Sequence, residues 1–113
     1  MVSQRPPPEA DWKLFRKLRE VALERFCKRA LEELERLRLD ASRSHHERYL
    51  DIFRLLQQRD EELARAFNDL RRSQMIVQLA AIYAHGLLEP QELEGLTPET
   101  LASIELIANG FMR

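Results

Sequence analysis

The sequence predicts an all-α protein: a long antiparallel helical hairpin over residues 9–39 and 45–72, a buried short third helix and a C-terminal helix, together a four-helix, bundle-like fold. Two observations point to the hairpin and its partner helix. Both long segments repeat apolar residues at helical spacing, and residues 74–85 are apolar on nearly every side, which is typical of a helix buried among others. In addition, three glycines in 113 residues leave little turn chemistry for a β-sheet.

Length and composition indicate a single domain. We expect residues 9–113 to form it, after a disordered Pro-rich lead-in at residues 1–8. The net charge of −1 gives no support for a nucleic acid or a membrane as partner. Cys27 is the single cysteine, and no apolar leader or membrane-length apolar segment occurs. These features together predict a cytoplasmic protein without an internal disulfide.

The first helix is predicted to begin near Glu9 and to end at about Leu39. Acidic residues at its start interact favourably with the helix dipole. One broad face of this helix is apolar, and its members recur every three or four residues. They are Trp12, Phe15, Leu18, Ala22, Leu23, Phe26, Ala30, Leu34 and Leu37.

The second helix is predicted to begin after Ser44. Ser44 and Glu47 match a capping box, in which each side chain binds the backbone N–H of the other residue. A short connector before it predicts that the two long helices are antiparallel. Its apolar stripe is Tyr49, Ile52, Phe53, Leu56, Leu63, Phe67 and Leu70.

The apolar pattern changes sides after Leu70, which predicts a break near residues 71–73 with Ser73 as the next N-cap. The alternative is one continuous helix that buries different faces against different neighbours. Gly86 is predicted to end the third helix, and Gln74, Gln78 and His85 are predicted to form its solvent-facing polar strip.

Beyond Gly86, residues 90–96 are predicted to form a short helical turn. Thr97 followed by Pro98 is a start signal for a last helix over residues 98–109.

Asp60 lies in the middle of the apolar stripe of the second helix. A hairpin folded about residue 42 sets it opposite residue 24, near three arginines of the first helix. We therefore predict an ion pair that fixes the helix register, between Asp60 and one of Arg19, Arg25 and Arg29. The alternative is a charge that contacts a ligand or a second chain.

Several apolar residues fall outside these stripes. Leu14 and Val21 are seven residues apart on the far side of the first helix, and Leu31 and Leu55 are also off the main stripes. The heptad spacing of Leu14 and Val21 predicts a second contact seam. We therefore expect a non-enzymatic protein–protein interaction module that forms a homodimer, with an unidentified protein partner as the other possibility.

The alternative function is a nucleic-acid-associated regulator, with Arg65, Arg71 and Arg72 as a basic patch. The acidic segment after the third helix argues against classical DNA reading, so nucleic acid is the less favoured partner. A third possibility is a metal or acid–base site at His45 and His46, but adjacent residues of a helix point about 100° apart. No catalytic or nucleotide-binding motif is present, so we expect no enzyme activity, cofactor or metal.

Overall fold

The computed structural model describes residues 7–68 and 70–111. Helices dominate this part of the chain, and it contains no strand. The prediction of an all-α, bundle-like fold is confirmed. The elements are α1 (Glu9–Arg38), α2 (His45–Phe67), a 3₁₀ turn (Arg72–Gln74), α3 (Met75–Ala84), a second 3₁₀ turn (Pro90–Leu93) and α4 (Pro98–Phe111).

α1 and α2 form the predicted hairpin, and the start of α2 is held by the predicted capping box. The Glu47 N–H donates to Ser44 Oγ at 3.0 Å, and the Ser44 N–H donates to Glu47 Oε1 at 2.9 Å. Since these bonds satisfy two backbone donors that the helix itself leaves unpaired, the sequence fixes this boundary locally.

The break between α2 and α3 is confirmed, and the alternative of one continuous helix is wrong. α2 ends at Phe67, five residues before the predicted end, and Arg19 donates a hydrogen bond to the Phe67 carbonyl oxygen. The prediction of Ser73 as N-cap is also wrong. Ser73 lies within the 3₁₀ turn, which delays the start of α3 and places Gln74 immediately before it.

α3 is the central helix and contacts each of the other three. It ends before Gly86, whose φ of 72° suits glycine, as the sequence predicts. The prediction of a solvent-facing polar strip is wrong for Gln78, which is 8% exposed, because α3 has neighbouring helices on more than one side. His85 is exposed as expected.

Asp11 joins the start of α1 to the start of α4, a contact that the sequence did not suggest. Its fully buried carboxylate accepts hydrogen bonds from the Thr97 N–H at 3.0 Å, Thr97 Oγ1 at 2.8 Å and Thr100 Oγ1 at 2.6 Å. The Asp11 carboxylate thus binds the backbone N–H of Thr97, just before α4 begins, and interacts favourably with the positive end of the α4 dipole.

The hydrophobic core occupies one end of an elongated molecule whose principal extents are 54 × 27 × 24 Å. No residue from 31 to 62 belongs to the core cluster or packs against it. We call this part of the hairpin, residues 31–62, the distal hairpin. The core consists of Phe15, Leu18, Ala22, Phe67, Met75, Leu79, Ala80, Ile82, Leu87, Leu88, Leu93, Leu96, Ile104 and Ala108.

The disordered Pro-rich lead-in was predicted over residues 1–8, of which residues 1–6 lie outside the described residues. The Pro7 carbonyl accepts a hydrogen bond from Arg72 at 3.0 Å. Within the described ranges, none of the helices has the length and apolar character needed to cross a membrane.

Candidate interaction surface

Polar side chains form much of the contact between α1 and α2 in the distal hairpin. Arg59 donates to the Glu33 carboxylate through Nε at 3.1 Å and Nη2 at 2.8 Å, and Arg48 donates to the Arg38 carbonyl at 2.7 Å. Arg48 and Arg59 are eleven residues apart, which places them within about 20° of each other around a helix. The side of α2 that faces α1 therefore follows these two residues.

Leu55 lies on that same side of α2, four residues before Arg59, and it is half-buried. The interface candidate Leu55 is therefore turned toward α1 and only partly exposed. The reason is that the side of α2 that carries Arg48 and Arg59 faces α1, and Leu55 lies on that side.

Three of the apolar residues in the predicted stripe of α2 form an exposed surface. Tyr49 is 67% exposed, Phe53 51% and Leu56 44%. We call these three residues the outer stripe. Their spacing of four and three residues puts them on one face, about 100° around the helix from the side that faces α1.

The same apolar pattern continues to Phe67, which is 1% exposed and packs edge-on against Phe26. The predicted stripe is thus buried near the end of α2 and uncovered near its start. The core helices reach only the base of the hairpin, so the same amphipathic face passes from core to solvent along one helix.

On α1, the predicted seam residues Leu14 and Val21 have different surroundings. Leu14 packs against the core, and a Cβ added at Gly95 would lie 2.9 Å from Leu14 Cδ2. The segment around Gly95 covers the side of α1 that the helical wheel left free. Val21 is 38% exposed and Leu31, in the distal hairpin, is 61% exposed.

The predicted ion pair of Asp60 is also wrong. Asp60 is exposed and makes no hydrogen bond or ion pair within residues 7–68 and 70–111. The contact between Glu33 and Arg59 explains the error, because it places Asp60, the next residue of α2, near the part of α1 around Glu33. Arg19, Arg25 and Arg29 lie earlier on α1.

The three candidate arginines join α1 to other parts of the core end of the molecule. Arg19 binds the last carbonyl of α2, as described above. Arg25 donates to the Glu92 carboxylate at 2.6 and 3.1 Å and to the Leu87 carbonyl at 2.9 Å. Arg29 donates to the His85 and Gly86 carbonyls at 3.2 and 2.6 Å, where α3 leaves acceptors unpaired.

These contacts change the ionisation of the acidic partners. The hydrogen bond from Arg59 lowers the pKa of Glu33, and the hydrogen bond from Arg25 lowers the pKa of Glu92. In each case the guanidinium stabilises the charged form of the carboxylate. Both pairs are therefore ionised at neutral pH.

The predicted basic patch is not a single exposed cluster. Arg72 pairs with Glu9 at 2.8 Å, donates to the Pro7 carbonyl at 3.0 Å and lies 5.9 Å from the centre of the Trp12 ring. These contacts hold Arg72 against the start of α1. Arg65 and Arg71 are exposed.

Two adjoining clefts lie beside the base of the hairpin, with volumes of about 250 and 500 Å³. Glu62, Ala66 and His85 line both. Gln78 lines the larger cleft, and its Oε1 is buried without a hydrogen-bond partner in the described structure. Neither cleft is lined by a Ser, Thr, Cys or Lys side chain that could act as a nucleophile.

No group of three or more His, Cys, Asp or Glu residues within the described ranges could hold a metal ion. His45 and His46 are exposed in the first turn of α2. The outer stripe groups three of the exposed large apolar side chains in the described residues on one helix face.

Comparison with known proteins adds no functional information: no family model matches the chain, and no curated protein or solved structure matches it either.

Proposed function

We propose that this chain is a non-enzymatic protein–protein interaction module that self-associates as a homodimer through the outer stripe of α2. One observation carries the proposal. Tyr49, Phe53 and Leu56 lie in line on one helix face and are 67%, 51% and 44% exposed. Contiguous exposed apolar residues of this kind commonly mark interaction sites.

The energetics favour covering this surface. Complete burial of a large apolar side chain contributes roughly 1.5–3 kcal/mol, so a side chain that starts half-exposed contributes about 1 kcal/mol. In a symmetric dimer each residue of the outer stripe is buried in both copies, so its contribution to the free energy of association occurs twice. Aromatic residues are also enriched among the side chains that dominate binding at protein interfaces.

The construction of the distal hairpin supports the same proposal. Its two helices are joined by the ion pair of Arg59 with Glu33 and by the bond of Arg48 to a backbone carbonyl, rather than by a fully buried apolar core. Most helices of this length owe their stability to packing of an apolar face. Two distal hairpins packed face to face would supply that packing as a four-helix bundle.

The proposal includes a cytoplasmic location and no cofactor. Free Cys27 is half-buried, which suits a reducing compartment. The contacts of Arg72 with Glu9 and Pro7 argue against the alternative of nucleic-acid binding, because they occupy one of the three arginines of the predicted basic patch.

The test is the solution mass of the purified protein, measured by light scattering across a wide concentration range. We expect a dimer that persists at high salt, since the contact is apolar. The variant Tyr49→Gln/Phe53→Gln/Leu56→Gln should be a folded monomer, with its helix content checked by circular dichroism. Glutamine is chosen because it is uncharged and favours helix.

The matched control is Leu106→Gln. Leu106 is 61% exposed on α4, far along the chain from the distal hairpin, and its replacement should leave the dimer intact. A wild-type chain that remains monomeric, or a triple variant that remains dimeric, would overturn the proposal.

A further inference from the structure

His46, Phe53 and Asp60 are evenly spaced along α2. Each step is seven residues, so the three share one helix face with Tyr49 and Leu56 between them. His46 lies in the first turn of α2, Phe53 is at the middle of the outer stripe, and Asp60 follows its end. The exposed face thus has an imidazole at one end and a carboxylate at the other.

We propose that the outer stripe packs antiparallel against the outer stripe of a second copy of the chain, centred on Phe53, so that Asp60 of each copy lies beside His46 of the other. This inference rests on the proposed function and specifies its partner, its orientation and its register. Such a contact is isologous, because the same surface of both copies is used and the charged contact occurs twice.

The register follows from helix geometry. A helix rises 1.5 Å per residue, so His46 and Asp60 lie about 10.5 Å on either side of Phe53. When two such helices run antiparallel with their Phe53 residues at the same height, His46 of one copy meets Asp60 of the other.

Charge complementarity favours this arrangement over a parallel one. Asp60 is exposed without an ion pair in the described part of the chain, and a parallel dimer would place it beside Asp60 of the second copy. The antiparallel dimer places it beside an imidazole that can donate a hydrogen bond, and next to the positive end of the α2 dipole.

The neighbouring acidic groups at that helix end are already engaged. Glu47 accepts from the Ser44 N–H, and both Glu47 and Asp51 pair with Arg43, at 3.1 and 3.0 Å. The Arg43 guanidinium therefore offsets one of the two negative charges that an incoming carboxylate would meet there. The spacing also explains why an acidic residue interrupts the apolar pattern of α2 at position 60.

The test is an exchange of charges measured as the dimer dissociation constant by sedimentation equilibrium. Asp60→Arg alone should weaken the dimer by about tenfold, because it brings a cation to a helix N-terminus and an imidazole. His46→Asp alone should weaken it by about the same factor through repulsion of two carboxylates. The double variant should recover an affinity close to that of the wild type.

Glu61→Arg is the matched control, because Glu61 is an exposed carboxylate next to Asp60 that points about 100° away around the helix. Its affinity should stay at the wild-type value. If the wild type is a dimer but the single variants have no effect, or the double variant shows no recovery, the antiparallel register is wrong while the proposed function stands. A monomeric wild type overturns both.

Discussion

Glu33 of α1 accepts two hydrogen bonds from Arg59 of α2, at 3.1 and 2.8 Å, where antiparallel helices ordinarily place apolar side chains. The two side chains are only 29% and 24% exposed, and Arg59 also pairs with Glu62 at 2.9 Å. This contact sets the level at which the two helices face each other. Tyr49, Phe53 and Leu56 of the distal hairpin lie on the outside.

Loss of one partner of this ion pair should destabilise the fold. We expect Glu33→Gln to lower the free energy of unfolding by about 1 kcal/mol, because it leaves a half-buried guanidinium with a weaker acceptor. Replacement of both residues, Glu33→Leu/Arg59→Leu, should recover most of the loss, since apolar pairs often replace ion pairs without cost. Urea denaturation measures both effects.

Glu35→Ala is the control for this pair. Glu35 binds Arg38 within α1, and both side chains are more than half exposed. Its replacement should change stability less than Glu33→Gln does, because exposed ion pairs contribute little. A loss of stability as large as that of Glu33→Gln would show that the location of the Glu33–Arg59 pair between the two helices does not explain its contribution to stability.

Replacement of Asp11 should be among the most destabilising single changes. Asp11→Ala removes the acceptor of three hydrogen bonds and leaves the Thr97 N–H and the Thr100 hydroxyl without it. We expect a loss of about 2–3 kcal/mol in the free energy of unfolding. Thermal or urea unfolding checks this value.

Glu9→Ala provides the comparison for Asp11. Glu9 lies two residues earlier on α1 and pairs with Arg72, but its side chain is 61% exposed. The expected loss is below about 1 kcal/mol, as for other exposed ion pairs. Equal losses for the two variants would contradict the role of the buried carboxylate.

Stability should fall in acid. Arg59 and Arg25 hold the pKa values of Glu33 and Glu92 below the ordinary value of 4.5. The unfolded chain therefore binds protons at a higher pH than the folded chain does. The stabilisation is complete above the unfolded pKa and is lost as the pH falls through the lower folded values.

The double variant Glu33→Gln/Glu92→Gln should separate these two groups from other acid effects. It should be less stable than the wild type at neutral pH, and the difference should shrink below the ordinary glutamate pKa of 4.5. The measurement is urea denaturation across this range. A difference that does not depend on pH would refute the assignment.

Leu14 and Leu31 should respond differently to truncation. Leu14 packs against the core next to Gly95, so Leu14→Ala should cost about 2 kcal/mol. Leu31 is 61% exposed, so Leu31→Ala should change the free energy of unfolding by less than about 0.5 kcal/mol at concentrations where the chain is monomeric. Similar losses at both positions would contradict the assignment of Leu14 to the core.

The sequence predicted the features that depend on neighbours along the chain. The capping box of Ser44 and Glu47 and the end of α3 at Gly86 are confirmed, because hydrogen bonding and backbone conformation within a few residues determine them. The helical periodicity of α2 is a feature of this kind. It predicted which residues share a face.

Only the tertiary structure decided what lies against each face. The exposure of Phe53, the burial of Gln78 and the solvent position of Asp60 depend on how far the core extends and on the register of the hairpin. Register is set by long-range contacts such as that of Glu33 with Arg59, and a shift of a few residues changes every opposing pair. Periodicity alone carries no information about such contacts, because it describes a single helix and not its neighbours.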